Sequence, residues 1–90
     1  MAEIEVKRPN EDELNSLGVN NWSRWECEPS TFEWEYFSDE TAYVLEGKVV
    51  IKTPTGEVEI NKGDIVHFPK GLKCTWQVLE KIQKVYRLEE

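Results

Sequence analysis

Glu40, Cys74 and His67 are the side chains whose types and placement could do chemistry, and each also admits a plainer role. A carboxylate drawn inside a β-structure among aromatics has its pKa raised by desolvation and can serve as general acid or base. The plainer role for Glu40 is structural, hydrogen-bonded to Tyr36 or to a backbone N–H. Cys74 follows the turn Pro69-Lys70-Gly71 and becomes a nucleophile or soft metal ligand only if a neighbour lowers its pKa. Strand alternation sends Lys73 to the opposite face, which leaves Cys74 to act as a small buried hydrophobe. The same alternation sets His67 on the surface or at an interface when Phe68 points inward. One imidazole with one carboxylate and one thiol makes a poor site for a first-row metal.

The elements that must hold these residues are almost all strands. Ile4 and Val6 suit a short edge strand within residues 1–8. Asn10 is placed as the N-cap of a helix of about two turns, with Glu11, Asp12 and Glu13 in its first turn and Gly18 just past its end. From Trp22 the period is two. Trp25 and Cys27 share an inward face, and after Pro29-Ser30 the aromatics Phe32, Trp34 and Tyr36 share another, with Glu33 and Glu35 opposite. Thr41–Leu45 is expected to end at Glu46-Gly47 and Lys48–Lys52 to follow it. Pro54-Thr55-Gly56 turns the chain into Glu57–Ile60. Ile65–Phe68, Lys73–Leu79 and Ile82–Leu88 complete the pattern. About eight or nine short strands with regular turns imply a β-sandwich or barrel.

Composition narrows the functional classes. Ninety residues make one domain with a modest core, burying roughly 60% of the unfolded chain's surface. A net charge of −7, with eleven basic residues scattered among eighteen acids, argues against nucleic acid and against an anionic membrane surface as partners. Apolar runs of about four residues fall far short of the ~20 that span a bilayer, and the first residues do not form a signal peptide. Cys27 and Cys74 make neither a disulfide framework nor a zinc module, which suits two reduced thiols in a cytoplasmic protein.

Two spacings coincide in the middle of the chain. Glu40 and Gly47 are separated by six residues, and Gly47 ends a Tyr-Val-Leu-Glu-Gly run. Gly63, Pro69, Gly71 and Cys74 then follow at intervals of five, one and two residues, with fifteen residues between the two groups. This pair resembles the two signatures of the cupin superfamily. The Trp34, Tyr36, Glu40, Cys74 set, the Trp25-Glu26-Cys27 run and the minimal length look like the small single-domain branch related to the (S)-ureidoglycine aminohydrolase cupin domain. The resemblance implies an all-β double-stranded β-helix, or jelly-roll barrel, with one short N-terminal helix. Residues 1–21 would be the arm and helix, and residues 22–90 the barrel. Metal-binding cupins place two histidines where this chain has Trp34 and Tyr36, and a third where it has Cys74. A manganese-dependent hydrolase is therefore implied by the family name, but its ligands are replaced here.

The resulting expectation is a small-molecule-binding cupin with an unidentified ligand held in the barrel. Glu40 and Cys74 are the candidate reacting groups, and Trp34, Tyr36, Trp76 and Trp25 line the pocket. No cofactor is expected, and a divalent metal is disfavoured. The alternatives are a non-catalytic homodimer paired through an exposed edge strand and a divalent-metal-dependent hydrolase or isomerase.

Overall fold

Two long antiparallel strands, β4 (Asp39–Thr53) and β7 (Lys73–Glu89), run side by side through the computed structural model, which describes residues 4–89. Each serves two layers. The first half of β4 pairs with β6 (Ile65–Phe68) and with the second half of β7. The second half of β4 pairs with β5 (Gly56–Asn61) and with the first half of β7. The edges are completed by β1 (Glu5–Lys7) on β6, by β2 (Ser23–Cys27) on the far half of β7, and by β3 (Ser30–Glu35) on its near half. The result is the expected jelly roll, all antiparallel, with one short helix, α1 (Glu11–Leu17).

The strand breaks expected at Glu46-Gly47 and after Leu79 are bends inside continuous strands. Pairing shifts register between Val44 and Glu46, again between Glu46 and Lys48, and again between Lys48 and Val49, so each strand turns the corner without leaving the sheet. Gly47 makes the corner possible. Its φ is 101°, and a Cβ there would overlap the Lys81 carbonyl oxygen and lie 2.7 Å from the Cα of Ile82.

Both capping signals of the N-terminal helix are found in the structure. The Asn10 side chain accepts a hydrogen bond from the Glu13 N–H at 2.9 Å, and Gly18 closes the helix in the left-handed region at φ 70°. A 3-10 turn, Val19–Asn21, then packs on β7. Residues 5–7 form the expected short edge strand, paired with β6, and Ile4 packs against the core, while residues 1–3 lie outside the described residues. The arm is anchored by Arg8, which meets the buried Asp64 carboxylate at 3.1 Å. The other Asp64 oxygen accepts from the Asn61 N–H at 2.8 Å and fixes the β5–β6 turn.

Inward residues of both layers form one core: Val44, Val49, Ile51, Ile60, Val66, Phe68, Trp76, Val78 and Ile82 are all buried. Toward one end of the barrel the filling changes from aliphatic to aromatic and leaves a cavity.

Candidate functional site

Register decides what meets in that cavity. On β7, Lys84 pairs laterally with Val44 of β4 and Trp25 of β2, and Leu88 pairs with Glu40. Directly paired residues point to the same face, so Lys84, Trp25 and Glu40 all point into the barrel. The long Lys84 side chain bridges the two rungs, and its Nζ lies 2.5 Å from Glu40 Oε2. Both groups are nearly sealed from solvent, Lys84 being 6% and Glu40 7% exposed.

The pair is enclosed by rings. The Lys84 ammonium lies 5.0 Å from the Trp76 centroid, 5.1 Å from Trp25, 5.2 Å from Tyr86 and 5.8 Å from Phe68, a cage whose π-faces favour a cation. The cage is itself rigid. Tyr36 stacks on Phe68 at 4.7 Å, Trp76 packs edge-on to Trp25 at 5.7 Å, and the Trp76 indole N–H donates to the Tyr36 hydroxyl at 3.2 Å. Tyr36 follows β3, and the turn after β6 holds it at both ends. Its N–H donates to the Leu72 carbonyl and its carbonyl accepts from the Gly71 N–H. That turn is tied in turn to the start of β4, where Asp39 accepts from the Lys70 N–H at 2.6 Å.

Trp25, Phe32, Trp34, Tyr36, Glu40, Trp76, Lys84, Tyr86 and Leu88 together line a cavity of about 230 Å³. The four expected lining aromatics, Trp25, Trp34, Tyr36 and Trp76, therefore meet around one cavity together with Glu40. Trp34 shares the inward parity of β3 but is 53% exposed, because it sits near the strand's end at the mouth rather than in the core.

Electrostatics follows from burial. Desolvation pulls the Lys84 pKa below the ordinary lysine value, and the Glu40 charge opposes it. Burial also drives the Tyr36 phenol upward, helped by the Glu40 charge, so it is a neutral hydrogen-bonding group. Cys74 is placed apart from the ion pair. It is a core residue whose thiol contacts the Trp34 carbonyl oxygen at 3.7 Å, and burial pushes its pKa up to about 11, the opposite of what a thiolate nucleophile needs.

His67 faces outward, as expected with Phe68 buried. Its Nδ1 lies 3.3 Å from the Thr41 hydroxyl, which donates to Glu89, on the floor of a wider, more open groove beside α1. Lys84 is the site residue that sequence reasoning passed over. Alternation sets it on the face of Ile82 and Tyr86, and that was the signal available.

The donor set does not fit the metal that cupins commonly hold. Trp34 and Tyr36 supply no imidazole, Cys74 is protonated at neutral pH, and Glu40 already has a cation against it, the Lys84 ammonium. Among the described residues no group of three or more His, Cys, Asp or Glu side chains comes together as a metal site.

Comparison with known proteins agrees with the fold. A search of curated proteins finds none that matches. A protein from Thermotoga maritima, described as a member of the DUF861 family, is 46% identical, covers 97% of this chain and all of its own, and superposes with a TM-score of 0.94. The Clostridium difficile EutQ protein is 22% identical over 97% of this chain and 68% of its own, with a TM-score of 0.68. A cupin superfamily protein of Desulfitobacterium hafniense is 13% identical over 98% and 79%, with a TM-score of 0.63. These last two are likenesses of fold. The model of the EutQ-like cupin domain matches residues 14–86, and the chain therefore belongs to the EutQ-like cupin domain family.

Proposed function

We propose that the protein holds a small, planar, carbonyl-bearing molecule in the aromatic cavity, with Lys84 and Glu40 as its polar contacts. The observation that carries this reading is the Lys84–Glu40 pair, buried at 2.5 Å and facing a cavity of about 230 Å³. Burying two charges costs several kcal/mol of solvation per ion before their attraction is counted, so such a pair is a weak device for stability alone. At one end of a cavity it offers an N–H donor for a carbonyl oxygen and a carboxylate acceptor for an N–H or O–H. Trp25, Phe32 and Trp76 supply faces for a flat molecule. Tyr36 positions Trp76, and Trp34 and Leu88 form the rim.

The resemblance to the (S)-ureidoglycine aminohydrolase branch of cupins supports the same ligand chemistry, since a ureide is flat and bears both a carbonyl and N–H groups. A metal-dependent hydrolysis is not part of the proposal, because the ligands for the ion are replaced. Cys74 is assigned packing rather than a reacting role. The reduced thiols of Cys27 and Cys74 favour a cytoplasmic setting.

The test is titration of the intrinsic tryptophan fluorescence with hydantoin and N-carbamoylglycine. A saturable change that is lost in Lys84→Met supports the reading, and no saturable change with either compound overturns it. Homodimerisation is a separate proposal, supported by β1, β2, β3 and β5 each pairing on one side only among the described residues. A monomeric mass by light scattering would dismiss it.

A further inference from the structure

We propose that Lys84 is an amine nucleophile that condenses with the carbonyl carbon of a small aldehyde or ketone in this cavity, with Glu40 carrying the protons. The inference rests on the reading of the cavity as a small-molecule site and adds covalent chemistry to it. Three features of the geometry meet at one atom. Lys84 lines the cavity, its Nζ is in hydrogen-bond contact with a carboxylate that can take and return its proton, and the rings of Trp25, Trp76, Tyr86 and Phe68 around that Nζ keep bulk water away. A lysine in apolar surroundings is the usual form of an imine-forming amine, and burial depresses the Lys84 pKa in the required direction.

The step balances within the pair. Glu40 takes a proton from the Lys84 ammonium, and the free lone pair forms a C–N bond as the carbonyl π-pair moves to oxygen. Glu40 passes its proton to that oxygen and removes one from nitrogen, which gives the carbinolamine. Glu40 then protonates the hydroxyl, the C–O bond breaks, water leaves, and the nitrogen lone pair closes the C=N bond. Lysine ammonium plus carbonyl compound become iminium plus water, and the Glu40 carboxylate is regenerated. The iminium keeps one positive charge against Glu40 and is flat, so the aromatic cage that holds the ammonium also suits the product. A cavity of about 230 Å³ admits a carbonyl compound of a few heavy atoms.

The experiment incubates the protein with propanal or hydroxyacetone and sodium cyanoborohydride at pH 7, which reduces an iminium to a stable secondary amine, and maps the modified lysine by peptide mass spectrometry. The expected result is modification of Lys84 at least about tenfold ahead of exposed lysines such as Lys62, since a carboxylate held against the reacting nitrogen carries its protons at every step. Glu40→Gln should slow it on the order of 10²-fold, the scale of a lost proton carrier. Modification of Lys84 no faster than of Lys62 in the wild-type protein overturns the inference, whatever the variant does. Propanamide, flat and unreactive, separates the two readings. If it changes tryptophan fluorescence saturably while propanal leaves Lys84 unmodified, the cavity remains a ligand site and the covalent step falls. If propanal leaves Lys84 unmodified and neither propanamide nor hydantoin nor N-carbamoylglycine changes the fluorescence saturably, both readings fall.

Discussion

Lys84 Nζ stands 2.5 Å from Glu40 Oε2 inside a cage of four aromatic rings, two rungs apart on neighbouring strands. The cation and the carboxylate each depend on the other for being buried at all. Removing one partner leaves the other charge without compensation, which costs about 3–5 kcal/mol in such pairs. Glu40→Gln and Lys84→Met should each lose about that much in urea denaturation. The double variant should lose markedly less than the sum, since partners in contact couple by about 0.5–3 kcal/mol. Additive losses would mean that the two groups do not depend on each other.

Cys74 gives a prediction with a defined pH window. Its folded pKa of about 11 lies above the ordinary value of 9.0, so below pH 9 both states carry the proton and the full contribution is present. Between pH 9 and 11 the unfolded chain releases the proton while the folded chain keeps it, and stability falls. The shift is worth on the order of 1–2 kcal/mol. The wild-type protein should therefore lose stability more steeply over that window than Cys74→Ala, measured by denaturation at fixed pH. At pH 7.5, iodoacetamide should alkylate the half-buried Cys27 well before Cys74. Equal rates would contradict a protonated, packed thiol.

Gly47 is the test of the barrel corner. Gly47→Ala places a methyl group against Lys81 and Ile82 at a φ of 101° that side chains resist. Strain of this kind costs about 1–3 kcal/mol before the overlap is relieved. The variant should unfold at clearly lower urea than the wild type. A wild-type midpoint would mean that the two long strands pass each other with room to spare.

What the sequence makes legible follows the locality of the signal. The Asn10 and Gly18 caps, the Pro54-Thr55-Gly56 turn and the inward parity of Phe32 and Tyr36 are each fixed by neighbours a few residues away, and all are found in the structure. Gly47 reads as a stop because a left-handed glycine usually ends a strand. Here the cross-strand bonds of β7 carry the chain through the bend. Trp34 has the parity of the core but lies at a strand end, where parity no longer implies burial. Lys84 is hidden by Val85. Both are buried, on opposite faces of β7, because the 3-10 turn packs on that strand from outside the barrel. A stretch buried on both faces loses the alternation that would have marked its lysine as inward. The partner of Glu40 is thus a fact of register between residues 44 apart, which no local pattern expresses.

The most direct measurement is two-dimensional NMR of the nitrogen-15-labelled protein titrated with hydantoin, following the indole N–H signals of Trp25, Trp34 and Trp76 together with the Lys84 and Glu40 amides. An aromatic cavity closed by an ion pair predicts saturable shifts at Trp76 and Trp25, with the Trp76 indole moving through its bond to Tyr36, and loss of those shifts in Lys84→Met. Shifts that instead cluster at Thr41, His67 and α1, with Trp76 unmoved at saturation, would place the ligand in the outer groove and contradict the account.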